Sequence, residues 1–404
     1  MRVFFIGLGQ AGCKITDLFI ADDLSTRTQR IFKAIAVNSA RPDLQGLKYF
    51  TAKDRILIGE TVVRGHGVGA NNKLGAKIAQ ADIDKILSAI DMQGTSDTDV
   101  FVIVTAFGGG TGSGSAPVVA KHLKRLYNEP VYVLGVLPAE SEGNVYVLNA
   151  ARSMKTLSKY ADSMILIDNG AFMRPGESLK SAYQWINSEI VKRFSILARS
   201  GEVAVGGAVG EMVVDASEIA QTINGMEICT IGYASEELPR SSSIRKAILG
   251  REKPDQRKSA RILSLVTRAA KTRLLLPSDF RLVRKALVVV AGPPEELSRD
   301  GVERSREWLE KNIAGGEVRG GDYPVKNSRY VAVAVLLGGI SGVHKIDNLF
   351  ERARKMQEAI ATGLTREEAK KVEKTAQLMQ FIDDLETEEA TAEELEDLLK
   401  DLEV

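Results

Sequence analysis

Five glycines crowd the seven residues Gly108-Gly109-Gly110-Thr111-Gly112-Ser113-Gly114, between an apolar run, Val100 to Thr105, and a stretch of helical spacing from Ala116 to Tyr127. A strand-to-helix turn needs only one or two glycines. A denser set lets the backbone come close to an anion and aim N–H groups at it. The helix N-terminus adds partial positive charge, and the Thr111 and Ser113 hydroxyls can donate as well. The stretch therefore reads as a phosphate cradle. It also commits the chain to a strand, loop and helix unit, which restricts the fold to a sheet covered by helices.

The N-terminal part of the chain repeats that unit. Runs at Val3 to Ile6, Ile31 to Val37, Ile56 to Ile58, Val131 to Leu137 and Met164 to Ile167 are apolar without alternation, as strands covered on both faces are. Helical spacing fills the gaps at Leu74 to Ile90 and Val145 to Tyr160. The pattern predicts a doubly wound, mostly parallel α/β domain over residues 1–176, with ligands at the carboxyl ends of its strands. Apolar residues three and four apart from Leu179 to Leu197 predict one long central helix, within a connecting segment of residues 177–200. A glycine-rich break, Gly201 to Gly210, opens residues 201–342. Helical stretches (Ser217 to Ile223, Arg257 to Leu275) and strands (Leu287 to Val290, Tyr330 to Leu337) then alternate there, as in a smaller α+β domain. Residues 343–404 read as a C-terminal helix and an acidic tail.

Composition narrows the class. At 404 residues, 44% apolar and 26% charged, the chain matches ordinary globular proteins. Cys13 and Cys229 lie far apart, which excludes a disulfide framework and offers no zinc spacing. No apolar run reaches the length of a membrane span, so the expectation is a soluble, cytoplasmic protein. The net charge of +1 hides two blocks: 14 Lys/Arg against three acids from Arg240 to Lys285, and 11 Asp/Glu against Lys400 from Gln377 to Val404. The basic block lacks interleaved aromatics and keeps apolar positions, so it reads as a solvated helix face rather than a nucleic-acid site. The acidic tail is expected to dock on basic helices of a neighbouring copy.

Two more glycine loops follow strands. Gly7-Leu8-Gly9-Gln10-Ala11-Gly12 fits a dinucleotide fingerprint, but the second strand ends in Asn38 and Ser39, where that fingerprint needs an acid. A nicotinamide-dependent oxidoreductase would also leave Gly108 to Gly114 without a use. Gly65-His66-Gly67-Val68-Gly69-Ala70-Asn71-Asn72 is the third loop. No GxxxxGK[ST] occurs, which excludes the P-loop class. Three such loops on one α/β domain can enclose a triphosphate. Tyr183 and Asn187, four apart, share a helix face where a ring can stack on a base and an amide can read its edge. Asp215 and Glu218 read locally as an N-cap with its capping-box partner.

These residues resemble the tubulin and FtsZ superfamily, whose signature is GGGTGSG. Gly9-Gln10-Ala11-Gly12-Cys13 is similar to tubulin's first nucleotide loop. Gly65 to Ala70 and the stretch Leu137 to Ser153 are most similar to the archaeal CetZ branch, and the likeness covers roughly residues 1–350. The resemblance implies a GTP-binding domain, a long central helix and an activation domain in a GTPase that polymerises head to tail into protofilaments and controls cell shape. An FtsZ-like division protein is the related alternative.

Carried over by position, Gly108, Gly109, Gly110, Thr111, Gly112, Ser113 and Gly114 would hold the phosphates of GTP or GDP. Gly9, Gln10, Ala11, Gly12, Cys13 and Asn38 would line the same pocket, and Gly69, Ala70 and Asn71 would sense the γ-phosphate. Glu142 would contact the ribose, while Asn169, Tyr183 and Asn187 would meet guanine. Asp215 and Glu218 would reach into the neighbouring subunit's pocket and orient water for hydrolysis. Magnesium is implied as the nucleotide's companion, with no protein side chain assigned as a metal ligand. Partners are expected to be copies of the chain, with lateral contacts between filaments and no nucleic acid. Membrane contact is expected only indirectly, through an unknown adaptor, with filaments at the cytoplasmic side of the envelope. Val213 and Tyr146 stand where FtsZ carries an asparagine and an arginine, and Ala139 and Ser141 also depart from its loop. The acidic ending Asp-Leu-Glu-Val replaces FtsZ's adaptor-binding peptide, which disfavours the division reading.

Overall fold

A computed structural model describes residues 1–26, 29–172, 176, 178–202, 210–238 and 254–362. Met1–Leu349 form one compact unit and Phe350–Val404 a second, of which residues 350–362 are described and continue a helix that begins at His344. The acidic tail and Arg240 to Lys253 of the basic block lie outside the described residues, as do residues 203–209 of the glycine-rich break.

The first half supplies strands β1 (Val3–Leu8), β2 (Phe32–Asn38), β3 (Arg55–Leu57), β4 (Val100–Ala106), β5 (Val131–Leu137) and β6 (Ser163–Asp168). Between them lie helices α1 (Gly9–Ser25), α2 (Arg41–Gln45), α3 (Glu60–Val63), α4 (Asn72–Ala81), α5 (Ile83–Gln93), α6 (Gly110–Leu126) and α7 (Asn144–Leu157). The long helix α8 (Leu179–Arg199) and the short α9 (Ala216–Ile223) follow, then β7 (Ile228–Glu237), β8 (Lys285–Gly292), β9 (Glu317–Pro324) and β10 (Tyr330–Gly338). Helices Pro254–Thr272 and Arg299–Glu310 complete the described part of this half before the C-terminal helix.

All ten strands share one sheet in the order β3-β2-β1-β4-β5-β6-β7-β10-β8-β9. The six N-terminal strands pair in parallel, as their unalternating apolar runs require. β6 passes to β7 through only two registered pairs, Met164↔Ile228 and Ile165↔Cys229. β10 runs antiparallel to both β7 and β8, and β9 lies parallel to β8 at the edge. The fold is a doubly wound, mostly parallel α/β sheet to which the α+β part adds its own strands.

Aromatic packing seats α8 against the sheet. Phe194 of α8 meets Phe5 of β1 at 5.6 Å and Phe19 of α1 at 5.5 Å, while Phe5 and Phe19 stack at 4.2 Å. Each such pair adds roughly 0.5–1.5 kcal/mol beyond its area burial. The N-terminal half of α8, with Tyr183 and Asn187, is thereby held over the carboxyl ends of the strands.

Three sequence expectations change. The expected helix from Leu74 to Ile90 is two helices, broken at Asp82, whose carboxylate turns away to accept the Gly59 N–H at 2.7 Å. The helix expected from Ala116 already begins at Gly110. Its glycine turn packs against α4 so closely that a Cβ at Gly114 would stand 2.2 Å from the Asn72 carbonyl oxygen. Tertiary packing there outweighs glycine's poor helix propensity. Strands β7 and β9 and helix Arg299–Glu310 were not expected. In β9, Gly320 and Gly321 interrupt the apolar alternation that would mark a strand.

Candidate functional site

A cavity of about 430 Å³ opens at the carboxyl ends of the parallel strands, lined by Leu8, Asn38, Ala106 and Leu137 from the ends of β1, β2, β4 and β5. This is where an open α/β sheet binds ligands, and the volume suits a nucleotide-sized molecule. Helices α1 and α6 both start at its wall, and neither has a side-chain cap or an acid in its first turn. By contrast α4, α8 and α9 are each capped by a side chain, from Asn71, Ser178 and Asp215. Two uncapped helix N-termini on one cavity leave orphan N–H groups that an anion satisfies. Gly109 lines the cavity, and a Cβ there would meet no protein atom within 4 Å.

Side-chain hydrogen bonds order the walls. The carboxylate of Asp43 accepts from Gln10 Nε2 at 2.7 Å and from Asn38 Nδ2 at 3.0 Å, so one acid orients two amides. Thr111 and Ser39 share a buried hydroxyl hydrogen bond at 2.6 Å. Glu142 accepts the Ala139 N–H at 2.8 Å and the Asn169 amide at 3.5 Å.

Of the residues expected here, Gly9, Gln10, Ala11, Asn38, Gly69, Ala70, Gly108, Gly109, Gly110, Thr111, Gly112, Glu142, Asn169, Tyr183 and Asn187 all line the cavity. Gly12, Cys13, Asn71, Ser113 and Gly114 do not. Gly12 packs α1 onto β4, where a Cβ would stand 2.1 Å from the Val104 carbonyl oxygen. The buried Cys13 thiol donates to the Gly7 and Val37 carbonyls at 3.3 and 3.4 Å, and burial pushes its pKa up, so it is inert. Asn71 spends its side chain capping α4 through the Leu74 N–H at 3.0 Å. Ser113 donates to the Gly109 carbonyl inside the helix turn, and Gly114 faces α4.

Sequence reasoning gave no role to Lys14 or Asp43, which also line the cavity, nor to Asn149, which ties two of its loops together. Lys14 sits two residues past Gly12 on α1 and was within reach of a pattern argument. Asp43 and Asn149 act through partners distant in sequence. His66 is exposed at the cavity wall.

Asp215 and Glu218 stand apart from the cavity. The capping box read from sequence is present: Asp215 Oδ1 accepts the Glu218 N–H at 2.9 Å, and Glu218 Oε2 accepts the Asp215 N–H at 3.3 Å. The Ser217 hydroxyl, at 2.7 Å, and then the Glu218 N–H hold the Asp215 carboxyl below its ordinary pKa. Among the described residues no group of three acids, histidines or cysteines is placed to hold a metal ion, and no helix is long and apolar enough to cross a membrane.

Residues 2–175 match the Tubulin/FtsZ family GTPase domain, and residues 176–355 match the C-terminal domain of tubulin-like CetZ proteins. The tubulin-like protein CetZ1 of Haloferax volcanii is 46% identical over 369 residues, covering 89% of this chain and 93% of its own length. The chain belongs to the CetZ family. A solved structure of Haloferax volcanii CetZ1, a GDP-bound monomer, superposes on this CetZ-family chain with a TM-score of 0.79 at 44% identity, covering 88% of this chain and all of that one. Haloferax volcanii CetZ2, solved as a GTPgS-bound protofilament, also gives a TM-score of 0.79, at 38% identity over 90% of this chain and the full length of that one. The two matched regions of the CetZ-family chain meet just before α8.

Proposed function

We propose that this CetZ-family chain binds guanine nucleotide in the cavity, assembles head to tail into protofilaments, and hydrolyses GTP at a site completed by the next copy. The cellular role is control of cell shape. The observation that carries the reading is the separation of the two halves of the chemistry. Uncapped helix N-termini and a glycine cradle suited to phosphates lie on one cavity, while Asp215 and Glu218 lie outside it. Acids that do not reach the cavity of their own chain can serve it from a second copy.

In this reading Gly108 to Gly112 and Gly9 to Ala11 hold the phosphates, and Thr111 donates its hydroxyl. Tyr183 stacks on the base, Asn169 and Asn187 read its edge, and Glu142 meets the ribose. Asp215 and Glu218 orient the attacking water, since phosphoanhydride hydrolysis depends mainly on positioning and electrostatics. Magnesium, when bound with the nucleotide, would be held mainly by phosphate oxygens and water and would offset the charge they develop. The ligands named for the CetZ1 and CetZ2 structures, GDP and GTPgS, and the protofilament form of the latter, support the reading. The oxidoreductase alternative is set aside, because the matched GTPase domain includes the loop Gly7 to Gly12.

The test is GTP turnover per subunit across protein concentrations, with polymer sedimented from the same samples. Turnover that rises with polymer supports an active site shared between copies. Flat turnover without polymer would sink the proposal.

A further inference from the structure

The loop that presents Asp215 and Glu218 is built onto the last strand of the sheet. β9 ends the strand order, and there its Asp322 N–H donates to the Met212 carbonyl at 2.9 Å. The Asp322 carboxylate, 8% exposed, takes two more N–H groups of the loop, that of Met212 at 2.6 Å and that of Glu211 at 3.2 Å. A Cβ at Gly321 would stand 1.9 Å from the Met212 carbonyl oxygen, so only glycine lets strand and loop lie this close. From the end of α8, the Ser200 hydroxyl donates to the Val214 carbonyl at 3.4 Å. The backbone is thus pinned directly before Asp215.

The same strand also supplies charge. Arg319 stands 3.9 Å from Glu218 Oε1 and 3.4 Å from Glu317. Glu317 pairs in turn with Lys285 of β8 at 2.9 Å, and Lys285 also donates to the Gln221 carbonyl of α9 at 3.1 Å. The charged groups around Glu218 are therefore Asp215 on its own loop, Arg319 and Glu317 on β9, and Lys285 on β8. The Glu218 side chain is thus held between the Asp215 N–H and the Arg319 guanidinium.

We propose that Asp322 and Arg319 are positioning residues for GTP hydrolysis. Asp322 fixes the backbone that carries the two acids, and Arg319 aims the Glu218 side chain. The inference rests on the reading that these acids act on the neighbouring copy's nucleotide.

The experiment compares the full-length chain with D322A, D322N, R319Q, R319K and E218A. It records turnover per polymerised subunit at saturating GTP, the KM for GTP, pelleted polymer, and the affinity of unassembled protein for a fluorescent GTP analogue. D322A should lose turnover by about tenfold or more, because small misplacements of catalytic groups are costly. Its polymer yield and analogue affinity should be unchanged. D322N should fall between, since an amide oxygen still accepts one N–H. R319Q should lower turnover at saturating GTP by roughly three- to tenfold with KM unchanged, and R319K should restore most of it. If D322A and R319Q match the parent in turnover while E218A is inactive, this inference alone is overturned. If E218A turns over like the parent, the reading beneath it fails. If D322A does not bind the analogue, R319Q turnover decides.

Discussion

The side-chain amide of Asn149 donates to the carbonyl of Ala70 at 2.7 Å, across 79 residues of chain. The same nitrogen reaches the Gly108 carbonyl at 3.0 Å, so one buried group joins the third glycine loop to the phosphate cradle. Ala70 has a left-handed backbone, φ 64°, which costs a residue with a Cβ roughly 1–2 kcal/mol. The Asn149 bond helps hold it there. Asn149→Ala should therefore release both loops, lower stability by about 1–3 kcal/mol and weaken nucleotide binding. Urea unfolding and titration with a fluorescent guanine nucleotide measure the two effects.

Two glycines, one behind the cavity and one lining it, should respond differently to the same change. At Gly12 a Cβ would meet the Val104 carbonyl oxygen at 2.1 Å, whereas at Gly109 it would meet no protein atom within 4 Å. Gly12→Ala should destabilise the fold by about 1–3 kcal/mol, as overpacked cores do. Gly109→Ala should leave the melting temperature of the ligand-free protein unchanged and weaken nucleotide binding, because its methyl group would enter the space proposed for phosphate.

Tyr183 and Asn187 line the cavity from α8, and Tyr183 is 41% exposed. An aromatic ring left open to solvent beside a cavity is available for stacking. Tyr183→Ala should cost about 1–3 kcal/mol of nucleotide affinity, with guanine and adenine nucleotides affected alike. Asn187→Ala should instead narrow the preference for guanine. Competition titrations with GDP and ADP separate the outcomes.

Turnover should carry the signature of Asp215. Its pKa is lowered first by the Ser217 hydroxyl and then by the Glu218 N–H. A depressed carboxyl pKa adds stability above its unfolded-state value, and that stability is lost as pH falls through the folded-state value. Ser217→Ala removes the larger cause, so the folded pKa rises. The acid limb of turnover should move to higher pH, and helix α9 should lose its cap at a higher pH than in the parent. Rate profiles and circular dichroism across the acid range check both.

Truncation after Gln377 removes 11 acidic side chains. If they dock on basic helices of a neighbouring copy, filament bundling should fall at low salt and differ little at high salt, where screening is strong. Light scattering of the two forms over a salt series measures this.

The parallel half of the sheet was legible because its strands are buried on both faces and read as unbroken apolar runs. The placing of Gly108 to Gly112 on the cavity was legible because glycine at that density has few uses other than a close approach to a ligand. The start of α6 was not, since propensity argues against a helix through Gly110 to Gly114 and only the close face of α4 permits one. Gly12, Cys13, Asn71, Ser113 and Gly114 follow the family pattern but do not line the cavity, because sequence motifs do not distinguish residues that line a cavity from residues that pack the loops behind it. Arg319 and Asp322 left no local signal. Their meaning depends on the strand order, which brings the edge of the sheet against a loop more than a hundred residues earlier in the chain.

Both ends of that sheet are partly covered. At one end β3 is only three residues long, and Lys85 occupies its Leu57 carbonyl at 2.6 Å. At the other end the Met212 segment covers part of β9. A molecule that repeatedly joins copies of itself runs the standing hazard that exposed strands will fuse edge to edge into fibres that do not come apart. With its strand edges partly covered, a chain that assembles as proposed would associate through side-chain surfaces, whose strength a bound ligand can change. Assemblies of the proposed kind would then be dismantled and their subunits used again.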